Sequence, residues 1–175
     1  MTDRFQINGR HQLKSFEKGL ITFLLAFVGT IIGGLIGIFD LNDFLFLISL
    51  FILVCVVFSL PAIYLHITYL VDNWGTILHV DKRLTSFTIK TKNENFSYTF
   101  EDIENTELNL GIYYKNQIDN RGRWPTPWAN YGYLKLKLKD GKEFMFTSLM
   151  VDLSKLSLPV TTTEFRLIPF LKDRM

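Results

Sequence analysis

The feature that most constrains this chain is an interval without a basic residue. Residues 19–71 contain no Lys or Arg, and Asp40 and Asp43 are their only acids. All 19 Lys and Arg lie outside it, four before and fifteen after. A soluble fold must wet its surface, and so long an interval without a basic side chain suits a bilayer better than water.

The interval holds two apolar runs, 19–39 and 44–71, separated by Asp40, Leu41, Asn42 and Asp43. Roughly 20 helical residues rising about 1.5 Å each cross a hydrocarbon core of about 30 Å. The first run has that length. It exceeds the roughly 7–15-residue apolar core of a cleaved leader, and no A-x-A site follows it. The second run is longer than a bilayer requires. Pro61 predicts a kink near its far boundary, because proline removes a backbone donor. Tyr64, His66 and Tyr69 beyond it, then Trp74, read as amphipathic rings at a membrane–water interface.

So short a connector makes the two helices antiparallel. Arg4, Arg10, Lys14 and Lys18 precede the first, Lys82 and Arg83 follow the second, and the connector has no basic residue. The positive-inside rule then predicts a two-pass protein of the cell membrane with both termini cytoplasmic. The expected organisation is an N-terminal cytoplasmic tail over 1–18, a transmembrane hairpin over 19–71 and a cytoplasmic β-rich domain over 72–175. Gly29, Gly33 and Gly37 recur every four residues, a spacing that lets helix backbones approach closely. This helix-packing seam serves either the hairpin itself or a homo-oligomer.

After residue 72 the hydrophobic period changes to two. Phe87 and Ile89, then Phe96, Tyr98 and Phe100, then Leu134, Leu136 and Leu138 each alternate with polar neighbours, as half-buried strands do. Strands are expected near 76–81, 86–92, 95–100, 106–114, 133–139 and 142–148. Asp140-Gly141 is read as a tight type I′ hairpin turn. A short helix is expected over 150–156. Residues 161–171 stay open between a helix, with Thr161 and Glu164 as a capping box, and a strand on the alternation of Thr163, Phe165 and Leu167.

Phe100-Glu101-Asp102-Ile103 ends the third of these strands. Tyr131-Gly132-Tyr133-Leu134 opens a Gly-led strand that runs to a hairpin at Asp140-Gly141-Lys142-Glu143-Phe144. On these residues the chain resembles bacterial two-helix membrane proteins that carry a pleckstrin-homology-like (PH-like) domain, over about residues 74–156. The resemblance implies an α+β membrane protein: a transmembrane hairpin followed by a small antiparallel β-barrel or sandwich, bent and partly open, with a helix after the strands. It also implies a binding or assembly role. The chain departs from the pattern in its long, polar, Pro-containing insert before Tyr131 and in its C-terminal helix.

No enzyme chemistry is legible, so no catalytic residue is assigned. The histidines, His11, His66 and His79, have no second ligand at metal spacing, and Cys55 is the only cysteine. No metal or cofactor is therefore expected. Nucleophile-elbow and phosphate-loop motifs are absent. A net charge of +2 gives no ground for a nucleic-acid partner.

Two features suggest contact surfaces. Lys135, Lys137 and Lys139 share one strand face, which reads either as an anionic-lipid face or as the wet side of an amphipathic sheet. The insert 115–130 carries Arg121, Arg123, Trp124 and Trp128, residue types favoured at hot spots and membrane interfaces. It is read either as a partner- or membrane-contact loop or as a lid on the barrel. The expected function is a membrane-anchored, non-enzymatic binding or assembly module, contacting membrane lipid and a protein partner or a second copy. The alternative is an accessory subunit of a membrane complex or transporter in which the hairpin does the work.

Overall fold

The computed structural model describes residues 2–36, 40–153 and 156–171, and in it the two sequence periods become two kinds of element. The apolar interval forms the helices α1 (Gly9–Leu35) and α2 (Leu41–Asn73). The alternating segments form β2 (Ile77–Asp81), β3 (Ser86–Lys90), β4 (Asn95–Thr99), β5 (Ile103–Gly111), β6 (Gly132–Leu138) and β7 (Glu143–Thr147). Two more strands lie near the chain ends, β1 (Thr2–Gln6) and β8 (Thr162–Arg166), and a one-turn helix α3 (Asn116–Asp119) stands between β5 and β6.

Two four-stranded sheets result, ordered β1-β2-β3-β4 and β7-β6-β5-β8. The first is an antiparallel meander. In the second, β8 runs parallel to β5, so the expected all-antiparallel barrel is corrected at that edge. Between the sheets lies one core: Leu78, Val80, Phe87 and Ile89 face Leu134, Leu136, Leu138 and Phe146.

Several boundaries differ from expectation for physical reasons. The segment expected as a tail holds a strand and the start of a helix among its described residues. Residues 2–6 are β1, paired with β2 in the register Gln6↔Ile77 to Thr2↔Asp81, and Phe5 packs on the core. The chain then turns at once into α1, whose first turns carry Arg10, Lys14 and Lys18. Both helices are thus inserted between the first two strands of one sheet. The open reading of 161–171 resolves to a strand over Thr162–Arg166. Of the expected helix over 150–156, Met150 and Val151 run as turn and bend, Leu153 has 3-10 helical conformation, and 154–155 lie outside the described residues.

Asp140-Gly141 does close a hairpin, but not as type I′. Gly141 alone has positive φ (+84°), and Leu138 N–H donates to Lys142 O at 2.9 Å across a three-residue loop. This is the type I turn followed by a left-handed glycine that three-residue hairpins favour.

At the start of α2 the Asp40 carboxylate accepts from Asp43 N–H at 2.9 Å, an N-cap that satisfies one orphan donor. The helix then continues through Pro61 to Asn73, so the expected kink is not a break. Among the described residues one helix, Asn42–Asn73, is long and apolar enough to cross a membrane, and none of its most apolar window is buried. The apolar described part of α1, Phe23–Leu35, is shorter.

The two helices pack antiparallel. Phe27 stacks on Phe51 with centroids 5.9 Å apart, and Gly34 leaves room for the Phe44 ring, which a Cβ there would overlap. Of the expected glycine seam, Gly33 is buried, Gly29 has nothing within 4 Å of its Cβ direction, and Gly37 lies outside the described residues.

Candidate functional site

The site begins where α2 changes surroundings. From Leu45 to Leu60 most of its large apolar side chains are exposed. Beyond them Ala62, Leu65, Tyr69 and Asn73 are buried, at the three- and four-residue spacing of one helix face. That face lies on the outer side of the second sheet, against Tyr131, Tyr133 and Leu149. Tyr69 packs edge-on to both Tyr131 and Tyr133 and donates its hydroxyl to Pro169 O at 2.6 Å.

Asn73 completes the junction. Its amide donates to Met145 O at 2.6 Å, and its carbonyl accepts from Thr147 N–H and Thr147 Oγ1, both at 2.7 Å. One side chain thereby covers the open edge of β7, where an uncovered strand would invite association.

The aromatic residues expected at a membrane interface are therefore divided. Tyr69 is fully buried in the domain. His66 Nδ1 shares a 3.1 Å hydrogen bond with the Tyr131 hydroxyl, whose ionisation burial pushes well above its ordinary range. Trp74 caps the far end of α2, and only Tyr64 stays near the exposed half, edge-on to Phe170. Beside that pair Leu60 and Pro61 line an apolar cleft of about 310 Å³.

The 115–130 insert is an ordered structure rather than a floppy loop. Asn120 in the left-handed region (φ +50°) ends α3 and returns its N–H to Asn116 O. Arg123 donates to both oxygens of Asp119 at 2.7 and 2.8 Å, while the Asn116 amide brackets the Arg123 backbone on both sides. That bidentate guanidinium contact holds the Asp119 carboxyl down at about 2. Arg123 is thus a brace within the loop.

The two tryptophans part company. Trp128 is 8% exposed, donates its indole N–H to Leu167 O at 2.8 Å and stacks on Phe58 of α2 with centroids 6.4 Å apart. It belongs to the lid that closes the domain against the helix. Trp124 is 87% exposed, and the Arg121 side chain beside it is 76% exposed. Sequence alone gave no signal for the split, since it is set by Phe58 and Leu167, both remote along the chain.

The lysine stripe has acidic company throughout. Lys135 pairs with Glu143 at 2.9 Å and Lys137 with Glu104 at 2.8 Å. Thr99's N–H and hydroxyl, and after them the charge of Lys139, hold Asp102 below the ordinary carboxylate range. The stripe also leads away from the exposed half of α2. Tyr131 meets His66 and Tyr133 meets Tyr69, so each step along β6 descends the helix.

Among the described residues no group of three or more His, Cys, Asp or Glu is placed to hold a metal ion. What the geometry offers is a rigidly mounted contact surface.

The PH domain family profile matches residues 4–158, from within β1 to beyond β7 and across both helices. This chain belongs to the PH domain family. PH domains are generally non-catalytic binding modules and often bind lipids or proteins. The match explains why β1 sits in the same sheet as β2 despite the two helices between them. It ends before β8, which lies outside the matched residues. No curated protein and no solved structure matches the chain.

Proposed function

We propose that this PH domain is a membrane-anchored binding module, held at the cytoplasmic face by the α1–α2 hairpin with both termini inside. The observation that carries the reading is the division of α2: one half apolar and exposed, the other with one face built into the domain core and Ile63, Ile67 and Val71 exposed on its outer face. From Leu41 to Leu60 a helix rises about 30 Å, the thickness of a hydrocarbon core. The pairs Phe27–Phe51 and Gly34–Phe44 keep one antiparallel register, and continued along it Lys18 stands level with Leu60. The nearest basic residue before the hairpin thus falls level with the point beyond which one face of α2 is buried against the domain, in keeping with the positive-inside rule.

The anchoring makes lipid recruitment unnecessary, so the module's contacts serve orientation and assembly. The alternative, a hairpin acting as a polar pathway, is disfavoured by how its hydroxyls are used. Ser49 and Ser59 donate to carbonyls of their own helix, Leu45 O and Cys55 O.

Topology is tested with Cys55→Ser protein carrying one new cysteine, Asn42→Cys or Lys92→Cys. In intact cells an impermeant maleimide is expected to label position 42, and position 92 only after permeabilisation. Labelling of both from the same side would sink the two-pass reading.

A further inference from the structure

We propose that the β5–β6 loop is a membrane foot: Trp124 enters the headgroup–acyl boundary of the leaflet in which the exposed half of α2 ends, and Arg121 meets the lipid phosphates there. The inference rests on the anchoring proposed above and adds a second point of attachment, with the lipid bilayer as its partner.

The argument is one of height along α2. The domain touches this helix along Phe58, Ala62, Leu65, Tyr69 and Asn73. Phe58 is the outermost of these toward the exposed half, and the residue that meets it is Trp128. The 115–130 loop, together with Phe170 at the cleft beside Leu60, therefore stands at the level of α2 where its buried face begins, the plane proposed for the leaflet boundary. Rings of Trp favour that plane, where one edge is apolar and the other wet.

The loop's exposed side chains fit the same plane. Trp124 is the most exposed large apolar residue of the described chain, and Ile118 on the same loop and Leu167, whose carbonyl accepts from Trp128, are exposed as well. Asp119, Arg123 and Asn116 fix the backbone on which Trp124 stands, so little side-chain or loop order remains to be lost on contact. Arg121, three residues earlier on the same loop, has a side chain that contacts Asp119 at 3.7 Å and is largely solvent-exposed, a guanidinium that can also meet a phosphate. The lysine stripe is not part of the foot, because it descends in the opposite direction and has acidic partners.

The test uses the full chain reconstituted in vesicles of equal phosphatidylcholine and phosphatidylglycerol. Parallel preparations carry bromine near the carbonyl end or near the methyl end of the acyl chains. Emission present in the wild type and missing from Trp124→Phe reports Trp124 alone. That component is expected to be blue-shifted, quenched more by the shallow bromine than by the deep one, and protected from aqueous iodide. An emission quenched by iodide and by neither lipid overturns the foot, leaving Trp124 a surface for a protein instead. Stronger quenching by the deep bromine also overturns it. Flotation of the same vesicles keeps the two proposals apart. Protein that fails to float sinks the anchoring itself, whereas floating protein with a water-exposed Trp124 sinks only the foot.

Discussion

At the scale of single residues, the junction concentrates its polar work in Asn73. Replacing it with Ala leaves two donors of β7, Thr147 N–H and Oγ1, and one acceptor, Met145 O, without their Asn73 partner, which costs about 2–3 kcal/mol, whereas Thr147→Val removes one hydrogen bond and costs about 1 kcal/mol. Thermal midpoints in mild detergent are expected to fall in that order, and equal shifts would show that the edge does not depend on Asn73. Asp119 sets a pH dependence. Its carboxyl titrates at about 2 in the folded loop, against about 3.9 in an unfolded chain, so the brace is at full strength above the latter value and is lost as pH falls through the former. Hydrogen exchange over residues 116–124, compared with Asp119→Asn at each pH, is expected to differ at pH 5 and to converge as pH approaches 2. Neither role is legible in the sequence. An Asn at the end of an apolar run and an Asp before two Arg are ordinary until the fold brings β7 to one and the guanidinium to the other.

At the scale of elements, alternation located β2 to β4, β6 and β7 to within a residue or two, because each buries one face at period two. β5 was found three residues late at its start, at the irregular register between Ile103 and Asn105. β1 left no such trace: in Thr2–Gln6 only Phe5 is apolar, and its partner strand lies beyond both helices. The parallel pairing of β8 was equally hidden, since no local pattern distinguishes the two directions. Removing residues 2–6 is expected to open the β2 edge and drive self-association, read as a rise in mass by light scattering in detergent. Between the helices, Gly34→Leu forces the Phe44 ring aside and is expected to cost about 1–3 kcal/mol. Gly29→Leu meets nothing within 4 Å and is expected to leave the thermal midpoint unchanged. The reverse order would place the tight contact at the regular glycine spacing rather than at Gly34.

At the scale of the whole molecule, the helical and β parts share a core and do not separate at residue 72. A chain beginning at Trp74 would expose Tyr131, Tyr133 and Leu149, which α2 otherwise covers. A chain beginning at Phe58 keeps that cover, and both lack β1, so their difference isolates the helix. The longer one is expected to give sharp thermal unfolding in detergent and the shorter one a molten, dye-binding state. Equal behaviour would make the junction dispensable. The pairing of Gln6 with Ile77 has a consequence for synthesis. β1 leaves the ribosome before both helices, yet its partner follows only after them. Joining ends separated by so long a loop is entropically costly while the loop is slack. Once α1 and α2 lie side by side, their outer ends stand together and the two strands meet almost as in a short hairpin. Helix pairing is thus the step that licenses closure of the first sheet, and a chain whose helices fail to pair carries an unfinished sheet edge as the mark of that failure.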